Sequence, residues 1–346
     1  MKRRDLLKSA AMLPVLTQIV LGGERRIMSD KKIIKPKRLM KGDTVALIAP
    51  AGGATSETFE KALQNLNDLG FKTKVGKYAR ARNGFLAGTD QERLDDLHLA
   101  FADAKVKAVW CLRGGYGTSR LLPALDFKLI KKNPKIFIGY SDITALHTAI
   151  YQNTGLVTFH GPVAASNYSD YTKNHVVNVL MNPSAPYKIE LAPENVAKES
   201  NLFKIVTITS GKCRGELIGG NLSLIAALAG TPFSLRNLKG KILFIEDVGE
   251  QPYRIDRMLT QLRQTTDLRQ LAGIALGVFE DCDPKDATVS QSLIEVLKDR
   301  LGDLGIPVIY GLSFGHIRDQ FTLPVGVKAE LDTETATITF LETSVV

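Results

Sequence analysis

From residue 44 the chain alternates short apolar runs with amphipathic helical stretches, and few folds accept that order. "TVALIAP" (44–50) reads as a buried strand. "SETFEKALQNLNDLG" follows it, with Phe59, Leu63, Leu66 and Leu69 on one helical face and a stop at Gly70. "FKTKVG" is a second strand. Thr89 and Glu92 then form a capping box ahead of Leu94, Leu97 and Phe101. "KAVWC" and "IFIGY" are the third and fourth strands, and the helix after the fourth carries Ile143, Leu146 and Ile150 on one face. Strands that alternate with helices pair in parallel, so this half is expected to be an α/β layer with helices on the faces of a parallel sheet.

The pattern weakens near 165–200, where a polar tract with three prolines suggests a link between domains. Beyond it strands dominate: "KIVTITS", "KCRGELIGG", "KILFIED", "IALGVFE", "VIYG", "VGVKAELD" and "TATITFLE". "YRIDRMLTQLRQ" and "SQSLIEVLKDRL" are the clearest helices of this half, which reads as mixed α+β. A chain of 346 residues has room for two domains. The expected division is residues 34–165, a link at 166–200, and a β-rich domain at 201–346.

The first 30 residues do not join this pattern. "KRRDLLKSAAMLPVLTQIVLGG" has a basic start and an apolar run too short for a membrane span. Arg3-Arg4 followed by Leu6-Leu7-Lys8 resembles a twin-arginine export signal, which implies a periplasmic or otherwise exported protein. A disordered basic tail is the plainer account. Translation from Met28 would instead give a cytoplasmic protein. Residues 1–28 carry six basic and two acidic side chains, so only +5 of the net +9 belongs to the rest. That diffuse charge, with no basic run interleaved with aromatics, argues against nucleic acid and suits a small anionic substrate. Cys111, Cys213 and Cys282 form no C-x-x-C pair, and no zinc or redox motif is expected.

Several residues stand where chemistry collects. Ser141 and Asp142 lie at the joint between the strand "IFIGY" and the next helix. They either cap that helix or expose a hydroxyl beside free backbone N–H groups. "RGGYG" (113–117) follows a strand but fits neither G-x-G-x-x-G nor G-x-x-x-x-G-K-[ST], and "APAGGA" is weaker still. "RGGYG" is either a tight turn or half of an oxyanion hole. Of the five histidines, His98 and His147 lie inside helical patterns, and His175 lies in the polar link. His160 follows a strand, and His316 sits among glycines after the strand "VIYG". His316 is the best placed to act as a base. "FIEDVGEQPYRIDR" offers Glu246, Asp247 and Glu250 either as helix caps or as the group that orients an imidazole. Ser141, Glu246 and His316 all follow strand ends, where ligands gather in open α/β sheets.

"RGGYG", "GYSD" (139–142), "GGNLSLIAALAGTPF" (219–233), "FIEDVGEQPYRIDRML" (244–259) and "GHIRDQFTLPVG" (315–326) occur in the order found in the LD-carboxypeptidase (muramoyltetrapeptide carboxypeptidase) family of serine peptidases, which the chain resembles from about residue 34 onward. The resemblance implies Ser141 as nucleophile, His316 as general base and Glu246 as its orienter, with an oxyanion hole from the N–H groups of Gly115 and Asp142. It also implies a Rossmann-like N-terminal domain, a smaller β-rich C-terminal domain, a homodimer, and no metal or cofactor. The expected reaction releases the terminal D-alanine of a murein tetrapeptide. A related expectation is a microcin-immunity peptidase acting on aminoacyl-nucleotide antibiotics. That activity calls for an aromatic platform, and the single Trp, Trp110, lies in a strand. A non-catalytic exported binding protein is the reading from outside enzymology.

Overall fold

A computed structural model describes residues 32–346. The export-signal reading of residues 1–30 lies outside the described residues. The first five strands are β1 (Thr44–Ile48), β2 (Lys72–Val75), β3 (Val106–Cys111), β4 (Ile136–Gly139) and β5 (Thr158–His160). The helices α1 (Ser56–Asp68), α2 (Asp90–Ala102), α3 (Phe127–Lys132) and α4 (Thr144–Thr154) alternate with them. All five strands run parallel. Their pleat sends successive side chains to opposite faces. On β1, Val45 and Leu47 enter one hydrophobic cluster, while Ala46 and Ile48 enter the other. Both faces of the sheet are therefore buried at its centre, which is why β1, β3 and β4 read as largely apolar runs, whereas the edge strand β2 is polar and mostly exposed. The Thr89–Glu92 capping box opens α2 as expected.

Residues 166–200 carry the chain between sheets as packed structure. They hold α5 (Asp170–Leu180), β6 (Tyr187–Ile189) and α6 (Pro193–Val196). Val176, Val179 and Leu180 of α5 enter the main core, and β6 is an edge strand of a second sheet. Only one face of α5 is apolar, so its helical signal is faint within a polar tract.

The second sheet continues with β7 (Val206–Thr209), β8 (Lys212–Asn221), β9 (Lys241–Glu246), β10 (Gly273–Val278) and β11 (Val308–Gly315). The helices α7 (Leu222–Leu228), α8 (Pro252–Thr265) and α9 (Leu293–Leu301) connect these strands. β12 (Leu323–Val325) leaves for the first sheet, before β13 (Lys328–Asp332) and β14 (Thr337–Phe340) complete the second. The strand orders are β12-β5-β4-β3-β1-β2 and β6-β14-β13-β8-β9-β10-β11-β7. Strands β8 to β11 are parallel neighbours, with antiparallel strands flanking them. β12 pairs antiparallel with β5. One hydrophobic core runs from Leu47 and Trp110 of the first sheet to Phe244 and Leu276 of the second. That shared core holds the C-terminal ends of β4 and β9 in one compact unit.

Candidate active site

β4 ends at Gly139, and the chain turns at once through a single 3-10 turn, Ser141–Ile143, before α4 begins at Thr144. Ser141 sits at φ +65°, in the left-handed region that side chains with a Cβ rarely adopt. Neither this turn nor α4 has a side-chain cap, and the Ser141 hydroxyl caps nothing. The capping account therefore does not describe Ser141.

Asp142 does the holding. It is buried, and its carboxylate accepts the Thr118 N–H at 2.9 Å while the Thr118 hydroxyl donates to its carbonyl at 2.5 Å. Burial pushes the Asp142 carboxyl above its usual range, against the pull of the Thr118 bonds. This clamp ties the "RGGYG" turn to the serine turn. A Cβ on Gly114 would fall 2.8 Å from Ser141 Cβ, so only glycine permits the approach. The N–H groups of Gly115 and Asp142 enter none of the turn, loop or capping bonds among the described residues.

Glu246 closes β9 and is fully buried. Its Oε2 lies 2.6 Å from Nδ1 of His316, the first residue after β11. Burial alone would raise the Glu246 carboxyl, but the charge and hydrogen bond of His316 outweigh it and hold it below the usual range. The imidazole shows the converse: burial pulls His316 down, and the Glu246 carboxylate overcomes this and raises it. With Nδ1 held by Glu246, Nε2 is the nitrogen left to exchange a proton. The Tyr140 ring packs edge-on against His316, with centroids 4.8 Å apart, which places the imidazole beside the serine turn. The Ser141 hydroxyl makes no hydrogen bond to His316; such bonds commonly tighten only with substrate bound.

The other histidines sort by burial. His160 lies behind Glu246, wholly buried, with Nε2 4.0 Å from Oε1 of the carboxylate. Burial drives it down to about 4, so it is neutral near pH 7. His147 pairs Nε2 with the Gly139 carbonyl at 2.8 Å and is lowered by burial to about 3. His98 accepts the Asp126 N–H, and His175 packs between Tyr171 and Tyr187. Of the alternative acids, Glu250 faces Arg254 at 3.4 Å. Asp247 accepts from Asn221 Nδ2 at 3.1 Å and from the Ser223 N–H and hydroxyl at 2.8 and 2.7 Å. Burial raises Asp247 to about 6.

That network reveals what sequence reasoning passed over. Asn221 ends β8, and its N–H donates to Thr144 Oγ1 at 2.9 Å. A Cβ on Gly220 would lie 2.5 Å from that same oxygen. The serine half and the glutamate half thus meet through Thr144, Asn221 and Asp247. The signal was the "GGN" triplet at the end of a strand, whose glycines mark close backbone approach. Cys111, Cys213 and Cys282 are free thiols, and no group of three or more His, Cys, Asp or Glu side chains suited to a metal occurs among the described residues.

A strained serine after a parallel strand, beside a carboxylate-bound imidazole, marks a serine-type hydrolase on an α/β scaffold. Comparison with known proteins agrees. The LD-carboxypeptidase N-terminal domain matches residues 45–161, and the LD-carboxypeptidase C-terminal domain matches 214–331. A "Probable murein peptide carboxypeptidase" of Bacillus subtilis is 45% identical over 304 residues, covering 86% of this chain and 92% of the relative. The "Murein tetrapeptide carboxypeptidase" of Pseudomonas aeruginosa is 38% identical over 299 residues, covering 83% and 92%. Among solved structures, the apo form of the microcin C7 self-immunity protein MccF superposes with a TM-score of 0.80 at 28% identity, covering 90% of this chain and all of that one. The chain belongs to the LD-carboxypeptidase family of serine peptidases. It is an enzyme of the serine carboxypeptidase type, and the non-catalytic reading falls.

Proposed function

We propose that the protein hydrolyses the L,D-amide bond that joins the terminal D-alanine to a murein tetrapeptide, using Ser141, His316 and Glu246 as a triad. The observation that carries this reading is the 2.6 Å bond between buried Glu246 and His316, next to a serine at φ +65°. His316 Nε2 takes the proton as Ser141 Oγ attacks the carbonyl carbon of the L-configured residue. The N–H groups of Gly115 and Asp142 donate hydrogen bonds to the oxyanion. Nε2 then gives its proton to the leaving nitrogen, and D-alanine departs. Water, deprotonated by the same imidazole, frees the acyl group. The names of the two bacterial relatives support a murein peptide as substrate. The test is incubation of the purified protein with muropeptides, with products read by mass. Loss of one terminal alanine is expected, and intact tetrapeptide after prolonged incubation sinks the reading.

One observation favours a second substrate, an aminoacyl nucleotide. Trp110 is buried with Nε1 bonded to the Pro162 carbonyl, so it is no platform for a base. Phe85 and Tyr116, however, are exposed and packed edge-on at 5.5 Å. The likeness to MccF gives this reading its support. Comparing kcat/KM on both substrates ranks the two.

A further inference from the structure

The loop "APAGGA" after β1 and the turn "RGGYG" after β3 have functions only half accounted for by an oxyanion hole. The two are in contact. The Gly52 N–H donates to the Gly114 carbonyl at 3.2 Å, and a Cβ on Gly52 would meet that oxygen at 3.1 Å and Gly115 Cα at 3.6 Å. Two arginines converge on the next residue, Gly53. Arg113 Nη1 donates to the Gly53 carbonyl at 3.1 Å, and Arg82 Cγ lies 3.6 Å from where a Gly53 Cβ would stand. Together with Phe85, Gly115 and Tyr116 they line a cavity of about 300 Å³. No acidic side chain lines it, and among the described residues neither guanidinium meets a carboxylate.

Two guanidiniums that meet no carboxylate, lining one cavity beside an apolar wall, present a positive site suited to an anion. The cavity shares Gly115 with the proposed oxyanion hole. In a peptide cleaved one residue from its end, the terminal carboxylate is separated from the scissile carbonyl carbon by only the amide nitrogen and one Cα. An anion of the substrate that close to the oxyanion is therefore the carboxylate of the leaving amino acid. We propose that Arg82 and Arg113 bind the free C-terminal carboxylate of the substrate and so restrict the enzyme to the last residue of a peptide. Planar guanidinium groups suit a carboxylate through paired N–H donors. Gly52 lets this loop approach the turn that carries Arg113, and Gly53 lets it approach the segment that carries Arg82. This proposal rests on the carboxypeptidase reading above and adds to it the residues that sense the chain end.

Binding of D-alanine, compared with D-alaninamide, to the full-length wild-type protein and to Arg82→Met and Arg113→Met variants is measured by ligand-observed NMR. The wild type is expected to bind D-alanine in preference to the amide, and each variant to lose that preference by about 10- to 100-fold. Both side chains are exposed, so the variants should keep the wild-type melting temperature. Equal binding of acid and amide by the wild type, or undiminished preference in the variants, overturns the proposal. A second arm measures kcat/KM on a tetrapeptide and on its C-terminal amide. The variants should lose activity on the acid and keep the poor activity of wild type on the amide. Equal loss on both substrates also overturns the assignment. If the wild type binds D-alanine through these arginines yet never releases it from a tetrapeptide, the carboxypeptidase reading fails while the anion site stands.

Discussion

A serine at φ +65° costs about 1–2 kcal/mol, because its Cβ crowds the following carbonyl oxygen. The Asp142–Thr118 clamp offsets that cost and holds the hydroxyl out at the end of β4. Ser141→Ala keeps the Cβ and its strain, whereas Ser141→Gly removes both. Each variant should lose about a thousandfold or more in kcat, and the glycine variant should melt about 2–4 °C above the alanine variant. Activity of Ser141→Ala within tenfold of wild type would rule out Ser141 as nucleophile. His316 must be neutral to accept a proton, so kcat/KM should rise with pH through its ionisation. Glu246 raises that ionisation above the usual imidazole value near 6.5, and the acid limb should lie correspondingly high. In Glu246→Gln burial dominates, so the limb should move to lower pH while the rate falls less than in Ser141→Ala. A limb that stays in place or climbs would show that Glu246 does not set it.

At the scale of elements, the end of β8 meets the start of α4. Thr144 Oγ1 accepts the buried Asn221 N–H, and Asp247 ties Asn221 to the first turn of α7. Thr144→Val keeps the volume but strands that N–H without a partner, which costs about 1–3 kcal/mol. The variant should melt several degrees lower. It should also lose kcat with little change in KM, because the shift falls between the serine and glutamate halves and not on the substrate. Unchanged kcat in a protein with a lowered melting temperature would show that the junction is structural only.

At the scale of the whole molecule, the expectations concern place and assembly. Arg3-Arg4, the Leu-Leu-Lys that follows and the apolar run should direct export when translation starts at Met1. Fractionation of cells expressing the full chain beside an Arg3→Lys, Arg4→Lys variant is expected to show export of the former only. A cytosolic location for both would refute the signal and leave the chemistry untouched. Sedimentation should report a homodimer, and a monomer at micromolar concentration would refute that expectation.

Local pattern alone carried β1, β3, β4, the Thr89 capping box and the parallel strands of the first sheet, because pleat and helical period are written every two or every three to four residues. The motif order pointed to Ser141, His316 and Glu246, the residues proposed as nucleophile, base and orienting acid. What local pattern could not carry was any meeting of distant residues: Asp142 with Thr118, Asn221 with Thr144, Arg82 and Arg113 on one cavity, or β12 crossing from the second sheet to pair with β5. It likewise hid α5, whose three core residues are outnumbered by polar ones. Each half contributes incomplete chemistry, a strained hydroxyl from one sheet and a paired imidazole from the other. Only burial of both sheets in one core brings these strand ends together, since apolar surface removed from water is what pulls distant segments into contact.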